Sequence, residues 1–295
     1  MHPKVLVVLG PTASGKSDLA VALAKKFNGE IVSADSRQVY HGMDIGTGKI
    51  TKTEMRGIPH YLLDVANPKK IFTASEYERL AKRAINKILR KGKLPIICGG
   101  TGFYIAAALE EKTFAEVPPN PKLRKKLESK SAAELLTELQ KLDPDRAASI
   151  DPQNPRRLIR ALEIVLTTGK PVGPRNRKEM YDSLKLGVTW LGNVLQKRIH
   201  ARLIKRLRGG MVNEIKKLHK NGLSFARLES LGLEYRYIGR FLEGKIEKEE
   251  MIAQLEKEIV AYSKRQLTWF KKDKNVRWIK NARWAEKIVR KFLKG

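Results

Sequence analysis

Near the start of the chain, Gly10-Pro11-Thr12-Ala13-Ser14-Gly15-Lys16-Ser17 fits the pattern G-x-x-x-x-G-K-[ST], directly after an apolar run at 5–9 and before a helical stretch. Its two glycines let the backbone turn tightly enough to aim several N–H groups at phosphate oxygens. Lys16 adds a point charge and Ser17 a hydroxyl suited to a metal ion such as Mg²⁺. The second residue with chemical promise is Asp35. It could hold a metal, act as general base toward an acceptor that meets a phosphate-bearing donor, or cap the next helix with Ser36. Kinases and ATPases of this loop class commonly end another apolar strand in an acid. Here residues 94–98 run into Gly99-Gly100-Thr101-Gly102 instead, and the guanine-reading Asn-Lys-x-Asp sequence is absent.

These residues need a scaffold that brings strand ends to one edge. Leu19, Ala20, Leu23, Ala24 and Phe27 recur at the spacing of one helix face, predicting a helix over 18–27. Residues 30–34 read as a short strand delivering Asp35 at its C-terminal end, the edge where ligands sit in open α/β sheets. Residues 38–59 hold four glycines and few periodic apolar positions, so a long loop of the functional kind is expected. A short strand is predicted at 60–64, and a capping box at Thr73 and Glu76 opens a helix reaching about Arg90. Residues 94–98 read as a buried parallel strand. The alternation predicts an α/β fold, a nucleotide-kinase-like parallel sheet with a P-loop.

From Pro118 the pattern turns helical: 121–128, a second capping box at Ser131 and Glu134, then 155–168 closed by Gly169. Residues 118–185 are therefore read as an inserted all-helical domain, with 1–117 and 186–295 forming the P-loop core and a helical C-terminal region. A strand over 186–191 is expected to rejoin the sheet. Helices are expected over 195–208, 212–221, 235–242 and 249–271, before a short apolar run at 276–279 and a terminal helix.

Lys and Arg total 60 against 31 Asp and Glu, a net charge of +29. Such an excess steers polyanions, and nucleic acid is the leading partner. Cys98 is the only cysteine, which excludes an intrachain disulfide framework and fits a reducing cytoplasm. No secretory leader and no membrane partner are expected, since no apolar stretch approaches the ~20 residues of a membrane span.

Ser33-Ala34-Asp35-Ser36-Arg37-Gln38-Val39-Tyr40 and its continuation to Thr47, Ile58-Pro59-His60-Tyr61, Cys98-Gly99-Gly100-Thr101-Gly102-Phe103-Tyr104, Asn154-Pro155-Arg156-Arg157-Leu158-Ile159-Arg160 and Lys264-Arg265-Gln266-Leu267-Thr268-Trp269-Phe270 occur in that order. Together they closely resemble the tRNA dimethylallyltransferase family, also called isopentenyl-tRNA transferases, in its bacterial form. The resemblance implies transfer of a dimethylallyl group from dimethylallyl diphosphate to N6 of the adenosine 3′ of the anticodon in tRNA, by a monomer. By the family pattern Lys16 and Ser17 hold the diphosphate, Ser17 through Mg²⁺, and Asp35 accepts an N6 proton. Arg198 and Arg202 share a helix face and match the family's arginine-bearing helix, with Arg202 as the implied diphosphate clamp. Asp35, Ser36, Arg37, Gln38, Thr101, Arg124, Arg156, Arg157, Leu158, Ile159 and Arg160 match positions that contact tRNA in the family. Trp269, at helical spacing with Tyr262 and Gln266, is expected in the core. Lys49-Ile50 stands where the family usually has Lys-Pro, and Arg156 where Gln is frequent.

Three rivals make different demands. A small-molecule kinase needs nucleotide affinity, an adenylate isopentenyltransferase needs a free nucleotide as acceptor, and a non-catalytic RNA-binding protein leaves the loop and Asp35 without a use.

Overall fold

The computed structural model describes residues 2–110, 117–172, 178–190 and 192–295. Residues 111–116, 173–177 and 191, which include part of the expected insert and the last position of the expected 186–191 strand, lie outside the described residues. The chain divides into two compact units, Met1–Glu110 with Glu179–Gly295, and Glu111–Lys178.

The first unit is built on six parallel strands: β1 (Lys4–Leu9), β2 (Gly29–Ser33), β3 (His60–Tyr61), β4 (Leu94–Gly99), β5 (Asp182–Gly187) and β6 (Val276–Trp278). Their order is β3-β2-β4-β1-β5-β6. Leu6, Val8, Ile31, Ile96 and Leu186 pack with Leu19 and Leu23 of helix Lys16–Lys26 and with Ala285 and Val289 of helix Ala282–Lys294. The alternate residues Val5, Val7, Val32 and Ile97 are buried as well. A sheet buried on both faces needs no polar stripe, which is why β1 reads as a continuous apolar run. The C-terminal ends of β1, β4 and β2 lie side by side and carry the phosphate loop, the Gly-Gly-Thr-Gly turn and Asp35.

The strand expected at 186–191 begins earlier. β5 pairs with β1 from Lys4↔Asp182 to Leu9↔Gly187, so residues 182–185, expected in the insert, belong to the sheet. Lys185 hid this strand from a hydropathy reading: it is a buried lysine whose ammonium pairs with Glu179 (2.6 Å) and Asp273 (3.1 Å). The stretch expected as loop over 38–59 also contains a helix, Lys52–Met55, opened by a capping box between Thr51 and Glu54.

The second unit consists of helices Pro121–Glu128, Ala132–Leu142, Pro144–Ser149 and Pro155–Thr168 around Leu127, Leu135, Leu139, Leu158 and Leu162. The Ser131 and Glu134 capping box forms as its spacing requires, and Gly169 closes the last helix at φ 64°. Among the described residues no helix is long and apolar enough to cross a membrane.

Candidate active site

The phosphate loop is held from behind. Pro11 O accepts from Lys16 Nζ (3.2 Å) and from the Ser14 N–H (3.4 Å). Ala13 O accepts from Arg198 Nε, and Ser14 O from Trp190 Nε1, both at 2.9 Å. Gln266 bridges the Thr12 N–H (2.9 Å) and Gly100 O (2.8 Å), joining the loop to the turn after β4. Among the described residues the N–H groups of Ala13, Gly15, Lys16 and Ser17 have no hydrogen-bond partner. Four unspent donors at a helix start can receive an anion. A cleft of about 440 Å³ opens beside them, lined by residues 13–18 and by Gly48, Glu54, Arg198, Arg202 and Lys205. Burial lowers the Lys16 pKa from its ordinary value, with Arg202 and Arg206 acting in the same sense and Cys98 and Asp35 opposing.

Asp35 uses only one of its oxygens on the fold. Oδ1 accepts from the N–H groups of Arg37 (2.9 Å) and Gln38 (3.3 Å), closing the turn after β2, while Oδ2 has no hydrogen-bond partner among the described residues. Capping and base chemistry are thus compatible. The end of β2 is fixed by Tyr77, whose hydroxyl donates to Ser33 O (3.0 Å) and whose ring stacks on Tyr104 with centroids 3.8 Å apart. Thr101 Oγ1 accepts from the Ser36 N–H (3.2 Å). Gly99 and Gly100 serve close approach: a Cβ on either would collide with Ala34 O or with Gln266 Nε2. Burial raises the pKa values of Tyr104 and of Tyr262, the latter to about 12, and the Asp35 carboxylate adds to the shift in the same sense.

Helix Val194–Arg208 presents Arg198, Arg202 and Arg206 along one stripe. Arg202 Nη2 donates to Gly48 O (3.2 Å), and Arg206 Nη1 to Gly46 O (3.4 Å) and to the buried Glu234 (3.0 Å). Burial and the charge of Arg206 pull the Arg202 pKa down to about 10. The loop that offers these carbonyls is tied down on its other side. Glu214 accepts from the N–H groups of Asp44 (3.0 Å), Ile45 (2.6 Å) and Gly46 (3.0 Å) and from the Tyr235 hydroxyl (3.1 Å). Lys49 Nζ binds Tyr40 O (2.8 Å), Asp44 and Asp64 (both 2.6 Å). Gln38 Nε2 adds a bond to Gly48 O (3.2 Å).

A family model described as IPP transferase matches residues 38–273. The chain belongs to the IPP transferase family. It is similar to the tRNA dimethylallyltransferase of Geobacillus thermodenitrificans, 41% identical over 94% of this chain and 90% of that protein. The tRNA dimethylallyltransferase of Thermoanaerobacter sp. strain X514 is 40% identical over 100% of this chain and 99% of its own. The crystal structure of the tRNA isopentenylpyrophosphate transferase of Bacillus halodurans superposes with a TM-score of 0.74 at 36% identity, covering 100% of this chain and 96% of that one. A eukaryotic dimethylallyltransferase acting on tRNA superposes with a TM-score of 0.79 at 31% identity, over 90% of this chain and 69% of its own. The six-stranded sheet is thus the fold of IPP transferases, and the phosphate loop, Asp35, Thr101 and Arg202 come together at its carboxyl edge.

The residues expected to meet RNA in the helical unit divide. Arg156 and Arg157 are exposed. Leu158 and Ile159 are buried at 0% and 7% exposure, so their side chains belong to the core of the unit and are not available to a ligand. Arg124 and Arg160 are engaged internally: Arg124 binds the fully buried Glu163 through Nε (2.9 Å) and Nη2 (2.7 Å), and Arg160 binds it through Nη1 (2.5 Å). Arg160 Nη2 also donates to Val117 O (2.8 Å). These hydrogen bonds outweigh desolvation and hold the Glu163 pKa at about 2.

Trp269 corrects another expectation. It is 46% exposed and lies against Gly102, where a Cβ would strike its indole. Its neighbours Gln266 and Phe270 fill the interior instead. The sequence reading passed over Gln266, Arg206, Glu214 and Glu234 as functional candidates. Gln266 carried a signal, as a member of the Lys264–Phe270 motif; the others are visible only through their contacts.

Proposed function

We infer that the chain transfers a dimethylallyl group from dimethylallyl diphosphate to N6 of the adenosine 3′ of the anticodon in tRNA, releasing diphosphate. The observation that carries this is the pairing of a phosphate loop with four unspent N–H donors and a strand-end carboxylate with one free oxygen. The loop grips a leaving group. N6 forms a bond to the allylic carbon, the bond from that carbon to oxygen breaks, its electron pair leaves on the diphosphate, and the N6 proton passes to Asp35. The N6 amine is a poor nucleophile because its lone pair is delocalised into the ring, so a positioned base contributes typically about 10²–10⁴-fold. Lys16 and Arg202 meet the charge that develops on the departing diphosphate. Arg198 lies on the same cleft.

The residues present fit a magnesium that arrives with the diphosphate. Among the described residues no group of three or more His, Cys, Asp or Glu converges into a resident metal cage. Mg²⁺ is commonly held by one or two protein groups plus substrate phosphates, and the Ser17 hydroxyl at the helix start is the group that would share it. Bound there, the ion would neutralise diphosphate charge.

A tRNA acceptor is supported by the net charge of +29 and by the named activities of the relatives. The amine of a stacked loop base cannot reach a diphosphate at a sheet edge, so the anticodon loop must extrude its adenosine at a cost of a few kcal/mol. Mass analysis of tRNA nucleosides after incubation with dimethylallyl diphosphate tests the reading. An adenosine heavier by one C₅H₈ unit next to the anticodon is expected. Modification of free AMP in preference to tRNA, or phosphate release from ATP with unmodified tRNA, overturns it.

A further inference from the structure

Trp190 is a large aromatic residue left 44% exposed, and yet it is pinned in place. Its indole N–H donates to Ser14 O (2.9 Å). The guanidinium of Arg198 lies over its ring, 4.9 Å from the centroid, while Arg198 Nε donates to Ala13 O (2.9 Å). Two consecutive carbonyls of the phosphate loop are therefore held by two side chains that also hold each other. The two elements come from different parts of the sheet unit. Trp190 follows β5, whose pairing with β1 is prolonged by a bond from the Val188 N–H to Leu9 O (2.8 Å). Val188 O runs so close to Gly10 that no Cβ fits there.

The peptide geometry says what this holding does. In a phosphate-binding loop each carbonyl must face away from the anion so that the N–H groups face toward it. Ala13 stands in the loop at φ 60°, a left-handed conformation that costs a residue with a Cβ energy and persists only where surrounding contacts enforce it. Arg198 holds the carbonyl of that same residue. With Nε spent on Ala13 and its face on Trp190, Arg198 keeps a terminal nitrogen above Gly15, 3.7 Å from where a Cβ would stand.

We propose that Trp190 and Arg198 form a clasp that pre-organises the phosphate loop, with Trp190 as a positioning residue for diphosphate binding. The proposal rests on the reading of the loop as a diphosphate site. The clasp orders donors before the ligand arrives, so its loss weakens binding of any diphosphate and leaves RNA binding and the Asp35 proton transfer untouched. Trp190 also becomes an optical reporter, since an anion drawn to Arg198 changes the cation over its ring.

The experiment is calorimetry with inorganic diphosphate and with dimethylallyl diphosphate, in the presence of Mg²⁺, on the wild type, Trp190→Phe, Arg198→Met and the double variant. Trp190→Phe keeps an aromatic ring and loses the N–H together with the pyrrole half of the indole, and Trp190→Leu serves as a second variant that loses the stack as well; melting curves check folding. About threefold to tenfold weaker binding of both ligands is expected for Trp190→Phe, the size of one hydrogen bond to a peptide group. tRNA affinity is expected to be unchanged, and Trp190→Phe to add little once Arg198 is Met. Diphosphate should alter tryptophan fluorescence in the wild type and not in Trp190→Phe. Wild-type affinity in Trp190→Phe and Trp190→Leu, or the same loss in the Arg198→Met background, overturns the clasp. Clasp-dependent binding of inorganic diphosphate together with no modification of tRNA leaves the clasp standing and removes the transferase reading.

Discussion

In the helical unit Arg124 and Arg160 converge on the carboxylate of Glu163, whereas in the sheet unit Arg198 and Arg202 converge on peptide carbonyls of Ala13 and Gly48. One carboxylate cancels one of the two charges it binds, so the first pair holds a core together with a single net positive charge left over. A carbonyl fixes a guanidinium in direction and leaves it cationic. Arg206 shows the intermediate case, sharing its guanidinium between Gly46 O and the buried Glu234. What separates the two pairs of arginines is the partner each meets, a carboxylate in one unit and peptide carbonyls in the other, not spacing along the helix.

The contrast can be tested at its extremes. Asp35→Asn is expected to lower single-turnover transfer by about 10²–10⁴-fold, because the amide keeps the turn through Oδ1 but cannot take the proton. tRNA affinity measured on the same variant should be unchanged. Near-normal chemistry would reduce Asp35 to the capping role its Oδ1 already plays.

Glu163→Gln leaves two guanidinium groups facing a neutral amide and is expected to destabilise the helical unit by about 3–5 kcal/mol. Chemical denaturation followed by far-UV circular dichroism measures this. The pH dependence follows from the depressed pKa. Glu163 is held at about 2 against an ordinary 4.5, so its contribution is present above the unfolded value and is lost as pH falls from about 4.5 toward 2. Acid should therefore loosen the wild-type unit over that window, and Glu163→Gln should flatten the response.

Glu214→Gln disturbs the other side of the loop that orients Arg202. Its amide nitrogen cannot accept, so one of the two oxygens that together receive four donors is lost. Binding of dimethylallyl diphosphate is expected to weaken by roughly tenfold, consistent with about 1–3 kcal/mol for an unsatisfied donor. An affinity equal to the wild type would show that the loop keeps its shape without this anchor.

The smallest expected effect sharpens the comparison within the helical unit. Exchanging the exposed Arg156 and Arg157 for Gln should flatten the salt dependence of anticodon stem-loop binding by roughly 0.7 to 0.9 log units per log unit of salt for each phosphate contact removed. Thermal stability should hold. Exchanging Arg160 for Gln should instead lower stability, because its charge belongs to Glu163.

Where structure depends on residues within a few positions, the amino-acid sequence determined it. The phosphate loop, the capping boxes at Thr73 and Ser131, and helices Pro121–Glu128 and Pro155–Thr168 stand where their local patterns place them, since a cap or a turn is closed by neighbours three or four residues away. Strand β5 was misplaced because a buried lysine interrupts its apolar pattern, and the pairing that makes Lys185 tolerable comes in part from Asp273, 88 residues on. The same holds for the site. Thr12 and Gln266 are 254 residues apart, Arg198 and Ala13 185, and Asp44 and Glu214 170. No periodicity encodes such partners. Which glutamate buries two arginines, which carbonyl aims a third, and which tryptophan stays in solvent are consequences of packing, and only the tertiary structure decided them.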